Sequence, residues 1–292
     1  MNSNFVIMGL PASGKTTFLA ALWHVVESGE ITSRLKLKEY EGDLAYLNLI
    51  AQAWRTFQKV PRTSQVGDTD VTIRLIDNET GGEGAAFFPD LAGETFDAQV
   101  EARRCRPEFV ASSVDDDGIL FFISANLKPE PLSIVELNAA MPRQDESSDA
   151  ETQDTSKVSE TAVAVPEWKP SMVSTQVRVV QILSDLLRPP FTARQRRLAL
   201  IISAWDVTEG SGQTPEQWLQ TRMPLVSQFL RTNEASFRSR LYGISAQGVA
   251  LDDSVAVERA SQQVASNRIR VVGPDGDGSD LSMPLVWLMS QD

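Results

Sequence analysis

The chain has 292 residues, 42% of them apolar, and a single cysteine, Cys105; it is long enough to bury a substantial core, and the lone thiol excludes a disulfide within the chain, as suits a reducing cytoplasm. A net charge of −12 argues against nonspecific binding to nucleic acid or to an anionic membrane, since both need a basic face. No apolar run approaches the ~20 residues of a membrane-spanning helix, and Met1-Asn2-Ser3-Asn4 lacks the positive start of a signal peptide, so a cytoplasmic chain without membrane insertion is expected.

Phe5–Met8 reads as a short buried strand, and a helix is predicted from Lys15 to Ser28. Between them lies Gly9-Leu10-Pro11-Ala12-Ser13-Gly14-Lys15-Thr16-Thr17, which matches the phosphate-binding pattern G-x-x-x-x-G-K-[ST]. A strand, a glycine-rich turn and a helix N-terminus aim several backbone N–H groups at one spot, and the helix dipole adds about half a positive charge there. In such a loop the lysine, Lys15, reaches the β- and γ-phosphates, and the hydroxyl of Thr16 ligates Mg²⁺. The lone histidine, His24, falls on the helix and is assigned a packing or surface role, not a catalytic one.

Further along, Gly42 to Phe57 has helical apolar spacing, and Val71–Asp77 alternates as a half-buried strand does. Asn78–Gly84 is a turn-rich hairpin loop leading into a returning strand, Ala85–Pro89. Asp90-Leu91-Ala92-Gly93 follows that strand. In phosphate-loop proteins an acid at a strand end holds Mg²⁺, often through water, and the glycine three residues on presents its N–H to the γ-phosphate. Gly118–Ser124 and Leu198–Ser203 are continuous apolar strands of the fully buried type, and Leu241–Ser245 is expected to be the last core strand. Helices are predicted near 95–112, 172–188 and 214–232. The alternation predicts an α/β fold: a mostly parallel sheet between two helical layers.

Residues 126–170 do not belong to this core. The stretch is rich in Pro, Ser, Thr, Asp and Glu, and Gln144–Glu151 has no apolar period. Such a composition cannot bury enough surface to offset ordering entropy, so a disordered acidic surface insertion is expected within a single domain over 1–292. Near the end, Pro274–Asp280 has a superficial calcium-loop look, but Val286 stands where a glutamate ligand belongs. A turn before a terminal helix, Met283–Met289 with Ser282 as N-cap, is expected instead.

Two strand ends bear on the base. Ser203-Ala204-Trp205-Asp206 stands where GTPases carry N-K-x-D, whose carboxylate accepts two N–H bonds from guanine. Asp206 fits that role; Ser203 and Ala204 depart from the asparagine and lysine, and Trp205 is a candidate to stack on the base in place of the lysine stem. Ser245-Ala246-Gln247-Gly248 is similar to the S-A-K element whose backbone meets the guanine oxygen.

With these elements in order, the chain resembles the Ras-like GTPase superfamily and, more narrowly, the bacterial double-GTPase family, often found in conflict and defence gene clusters. The narrower resemblance rests on Gly9–Thr17 followed by Phe18–Trp23, on Pro61-Arg62-Thr63, on Asp90–Glu94 and on Leu281–Met289. It implies Thr63 as the switch threonine that ligates Mg²⁺ and senses the γ-phosphate. It puts Glu94 where a glutamine often orients the attacking water, with slow turnover as the consequence. Arg62 is the candidate cis arginine finger; Arg103, Arg104 and Arg106 are further candidates, with a solvated helix face as the favoured alternative for them. The expected activity is Mg²⁺-dependent hydrolysis of GTP to GDP by a switch acting on a protein effector, with an ATPase or small-molecule kinase and a nucleotide-stabilised interaction module as alternatives.

Overall fold

Along the first strand, β1 (Asn2–Gly9), Phe5 and Ile7 join one buried cluster while Val6 and Met8 join another. That alternation is the signature of a strand covered on both faces. The computed structural model describes residues 2–60, 70–89, 94–113, 116, 118–127 and 173–290. The expected Arg62, Thr63 and Asp90–Gly93 elements, and nearly all of the acidic segment at 126–170, lie outside them.

After β1 come α1 (Lys15–Ser28), β2 (Leu35–Glu41), α2 (Leu44–Arg55), β3 (Val71–Asp77), β4 (Glu83–Phe88), α3 (Glu94–Ala102) and α4 (Pro107–Ser112). The second half runs β5 (Gly118–Ser124), α5 (Thr175–Asp185), β6 (Arg196–Ser203), α6 (Pro215–Arg222), α7 (Pro224–Thr232), β7 (Phe237–Ser245), α8 (Ser254–Ser261), β8 (Arg270–Gly273), β9 (Gly276–Gly278) and α9 (Met283–Met289). The nine strands form one sheet in the order β2-β3-β4-β1-β5-β6-β7-β8-β9. Its centre, β4-β1-β5-β6-β7, is parallel, and antiparallel strands extend both edges. Helices α1, α2 and α9 cover one face; α3 to α7 cover the other. The three-layer α/β/α arrangement expected from the sequence is present.

Several elements differ from the sequence-based expectation for local reasons. The single helix predicted over 95–112 is two, because Arg103 takes a left-handed φ of 55° and Pro107 then opens α4. The helix predicted over 214–232 breaks at Pro224, which lacks the N–H needed to continue α6 and instead starts α7. Leu241–Ser245 is not the last strand: β8 and β9 extend the sheet beyond β7, and Pro274–Asp280 spans their hairpin turn and the link to α9. Ser282 holds the N-cap position of α9 without a capping side-chain bond; Asp280 Oδ1 instead accepts from the Ser282 N–H at 2.9 Å.

Chain order reverses at β1, whose neighbours are β4 on one side and β5 on the other. In open α/β sheets the crevice at the carboxyl ends of the strands flanking such a point is where ligands bind. Register brings those ends into line: Gly9 lies opposite Phe122, Ser124 opposite Ser203, and Ser203 opposite Ile244.

Candidate functional site

The turn from β1 into α1 needs glycine at two positions. Gly9 has φ 147°, and a Cβ there would sit 2.6 Å from the carbonyl oxygen of Phe122. Gly14 has φ 93°, and a Cβ would sit 2.7 Å from Ser203 Oγ. Ala12 is also left-handed, at φ 59°. This backbone folds Lys15 over its own loop: Nζ donates to the carbonyls of Gly9 at 2.8 Å and Leu10 at 3.0 Å, 5.9 Å from the centre of the Phe96 ring. Gly14, the N-cap of α1, offers no side-chain cap, and the first turn holds no acid. The N–H groups that open a helix have no intrahelical partner, so this terminus is suited to an anion. Ser13 Oγ, buried beside Gly9, also lacks a hydrogen-bond partner among the described residues.

A cavity of about 660 Å³ opens at this end of the sheet. Pro11, Ala12, Ser13, Gly14, Lys15, Thr16 and Thr17 line it, and so do Ser203, Asp206, Ala246 and Gln247. Three segments far apart in sequence therefore share one chamber. Gly9 supports the loop from behind without lining the chamber.

Two hydroxyl groups organise the departures from N-K-x-D. Ser203 Oγ donates to the Ser13 carbonyl at 2.7 Å and so ties the end of β6 to the phosphate-type loop. Ser245 Oγ donates to Asp206 Oδ1 at 2.5 Å and accepts from the Gly248 N–H at 3.1 Å. Asp206 is thus oriented by a side chain that does not itself line the cavity.

Trp205 does not take the stacking role anticipated for it. Ala204 is left-handed, at φ 52°, and the chain turns so that Asp206 faces the cavity while the Trp205 indole goes into the core. There it packs against Gly243, where a Cβ would lie 2.4 Å from the ring. Apolar walls come instead from Val207 and Leu251, which line the cavity and are 51% and 43% exposed. A third wall is Gln58, Lys59 and Val60, just past α2. None of these carries a sequence signal, because each acts through position and not through a motif.

The end of α2 is joined to the loop after β7. Trp54 Nε1 donates to the Ala246 carbonyl at 2.9 Å. The Arg268 guanidinium lies 4.2 Å from the Trp54 ring and 4.1 Å from the Phe57 ring, and burial lowers its pKa to about 10. On the other side of the cavity, Asp97 of α3 is both a lining residue and the ion-pair partner of Arg178.

The remaining candidates divide clearly. Glu94 opens α3. Arg103 pairs with Asp185 at 3.4 Å, Arg106 pairs with Asp70 at 3.5 Å, and Arg104 is exposed; none of the three lines the cavity. His24 is buried, 5.2 Å from Trp54 and 3.0 Å from Glu30, which makes it a packing residue and not a surface one. Among the described residues no group of three or more His, Cys, Asp or Glu is placed to hold a metal ion; Thr16, the expected Mg²⁺ ligand, lines the cavity. Nor is any described helix long and apolar enough to cross a membrane.

In shape the chain is similar to several solved GTPase structures. The small GTPase Arl6 of Trypanosoma brucei, bound to a nucleotide analogue, matches at 10% identity with a TM-score of 0.34 over 90% of this chain and 98% of its own. The GTP-bound Ski7 GTPase-like domain of S. cerevisiae matches at 11% identity and TM-score 0.40, over 85% of this chain and 43% of that one. Sup35 with GDP matches at 13% and 0.34, over 85% and 38%; the chain thus spans less than half of the latter two. Among curated proteins none matches in sequence. A family model does match, over residues 6–288, and by that match the chain belongs to the Double-GTPase 1 family.

Proposed function

We propose that this protein is a GTP-binding molecular switch that hydrolyses GTP slowly with Mg²⁺ and signals its nucleotide state to a protein partner, in a bacterial defence or conflict setting. The observation that carries the reading is the convergence of the Gly14–Thr17 turn, Asp206 and the Ala246–Gln247 peptide on one cavity. The first suits a polyphosphate, the second the N–H edge of guanine, and the third a carbonyl on the base. One feature supports the fit of phosphate: the buried hydroxyl of Ser13, which has no hydrogen-bond partner among the described residues.

Within this reading residues 1–292 form one nucleotide-binding domain, and 126–170 is an acidic surface insertion. Mg²⁺, when bound, neutralises charge that develops on the β- and γ-phosphates; Thr16 would hold it, with Thr63 and Asp90 proposed beside it. Lys15 binds the same phosphates. Glu94 sets negative charge near a group already highly charged, which slows turnover, and Arg62 is the proposed compensating cation. Gly93 and Thr63 are the proposed sensors of the γ-phosphate, a loop-ordering device common to nucleotide switches.

Asp206→Asn tests the base assignment. Asparagine presents a donor where guanine also donates, so preference should move from guanine to xanthine nucleotides. An unchanged preference in the variant would remove Asp206 from base recognition.

A further inference from the structure

The carbonyl of Ala246 is drawn toward the core: it accepts from Trp54 Nε1 at 2.9 Å, and the Trp54 side chain is fully buried on α2 and is not part of the cavity wall. A peptide group is planar and trans, so its C=O and N–H point in opposite directions. Gripping the Ala246 carbonyl therefore fixes the direction of the N–H of the same peptide, that of Gln247, in a segment that lines the cavity.

Trp54 is itself restrained. Its carbonyl accepts from Arg268 Nη2 at 2.5 Å and from Gln247 Nε2 at 3.4 Å. The Arg268 guanidinium lies over both the Trp54 and the Phe57 rings. Arg268 also backs onto the same loop: its carbonyl would lie 2.4 Å from a Cβ at Gly248. The tryptophan, the arginine and the loop after β7 thus form one closed set of contacts.

We propose that Trp54, held by Arg268, is a positioning residue for base recognition: it fixes the peptide plane whose N–H meets the 6-oxygen of a 6-oxopurine. The inference deepens the guanine-nucleotide reading and rests on it. Its ligand class is guanine, hypoxanthine or xanthine nucleotides, as opposed to purines without a 6-oxygen. Asp206, held by Ser245, reads the other edge of the base.

The experiment compares GDP with 2-aminopurine riboside diphosphate, which keeps the 2-amino group and lacks both the 6-oxygen and the N1–H; the lost N1–H weakens the contact to Asp206 in every variant alike, so the difference between variants reads the 6-oxygen. Calorimetry on the full chain is done for the wild type, Trp54→Phe and Arg268→Lys. Phenylalanine keeps a ring in the core and loses the N–H donor; lysine loses the planar fork and the stack. Losing the alignment of one neutral hydrogen bond corresponds to roughly a five- to tenfold change. GDP should weaken by that factor in both variants, while 2-aminopurine diphosphate changes less than about twofold. Equal weakening of the two ligands, or no weakening of GDP, would overturn the proposal and make Trp54 a packing residue only. If the wild type does not prefer GDP to the 2-aminopurine ligand, the guanine reading itself falls and this inference with it. Should Trp54→Phe fail to fold, Arg268→Lys supports the same comparison.

Discussion

Ser203→Ala removes one oxygen atom and tests how the two halves of the site are joined. Ser203 stands where related GTPases have asparagine, and its hydroxyl donates to the Ser13 carbonyl at 2.7 Å. It also fills the space against Gly14, where a Cβ would meet Ser203 Oγ at 2.7 Å. A neutral hydrogen bond contributes about 0.5–1.5 kcal/mol net, and leaving a buried partner unpaired costs about 1–3 kcal/mol. Ser13 and Ser203 are 4% and 9% exposed, but both border the open cavity, where water can reach the freed carbonyl. A value of about 1.4 kcal/mol is therefore reasonable, a factor of about ten. With the loop backbone proposed to hold the phosphates and not the base, GDP and GTP should both leave about ten times faster, with the guanine-to-xanthine preference unchanged. Stopped-flow release of fluorescent GDP and GTP analogues measures this, with thermal melting of the nucleotide-free protein as control. Unchanged release of both nucleotides would refute the tie between Ser203 and the loop; so would a change confined to base preference.

Lys15→Ala should weaken triphosphate binding in calorimetry by about ten- to 150-fold, since it removes a charge-assisted contact worth roughly 1.5–3 kcal/mol; it also loses the bonds to the Gly9 and Leu10 carbonyls, so a modest drop in melting temperature should accompany it. Glu94→Gln should raise single-turnover hydrolysis, and Arg62→Ala should lower it; a Glu94→Gln loss as severe as that of Lys15→Ala would give the repulsion argument the wrong sign. Asp77 accepts from Arg34 through both oxygens, at 3.1 and 2.9 Å, and these bonds hold its carboxyl well below the usual range. A carboxylate depressed on folding stabilises the fold above its unfolded pKa of ~4 and loses that contribution as pH falls below it. Denaturant titrations from pH 6 downward should therefore show an acid-side loss of stability that Asp77→Asn reduces, and an identical acid limb in the variant would contradict it.

The parts of the fold that could be read from sequence were those where one residue type has one physical use. Gly14-Lys15-Thr16 marks the turn into α1 because a glycine is forced there by φ and by Ser203. The apolar runs of β5 and β6 mark strands covered on both faces. Edge elements were not legible. The strand β2, with sequence Leu-Lys-Leu-Lys-Glu-Tyr-Glu, buries only Leu35, and β9 is Gly-Asp-Gly and fully exposed; neither has a core to impose a period. The site divides in the same way. Asp206 was visible at a strand end, but its orientation by Ser245 depends on the register of β6 against β7. Trp205 was misjudged because Ala204 adopts a left-handed turn that L-residues seldom take, which sends the indole under Gly243. The Trp54 tether to Ala246 joins residues 192 positions apart, a proximity only the folded sheet creates.

Nucleotide competition is the most direct test of the proposed guanine-nucleotide switch. With a fluorescent GDP analogue bound in the presence of Mg²⁺, unlabelled GTP and GDP should displace it at concentrations far below those needed for ATP, because adenine offers neither the donor edge proposed for Asp206 nor the 6-oxygen proposed for the Gln247 N–H. A preference of at least ~100-fold is expected, since a site built to pair polar groups rejects a ligand that leaves them unpaired. Equal displacement by ATP and GTP would contradict the guanine assignment and favour an ATPase or kinase on the same fold.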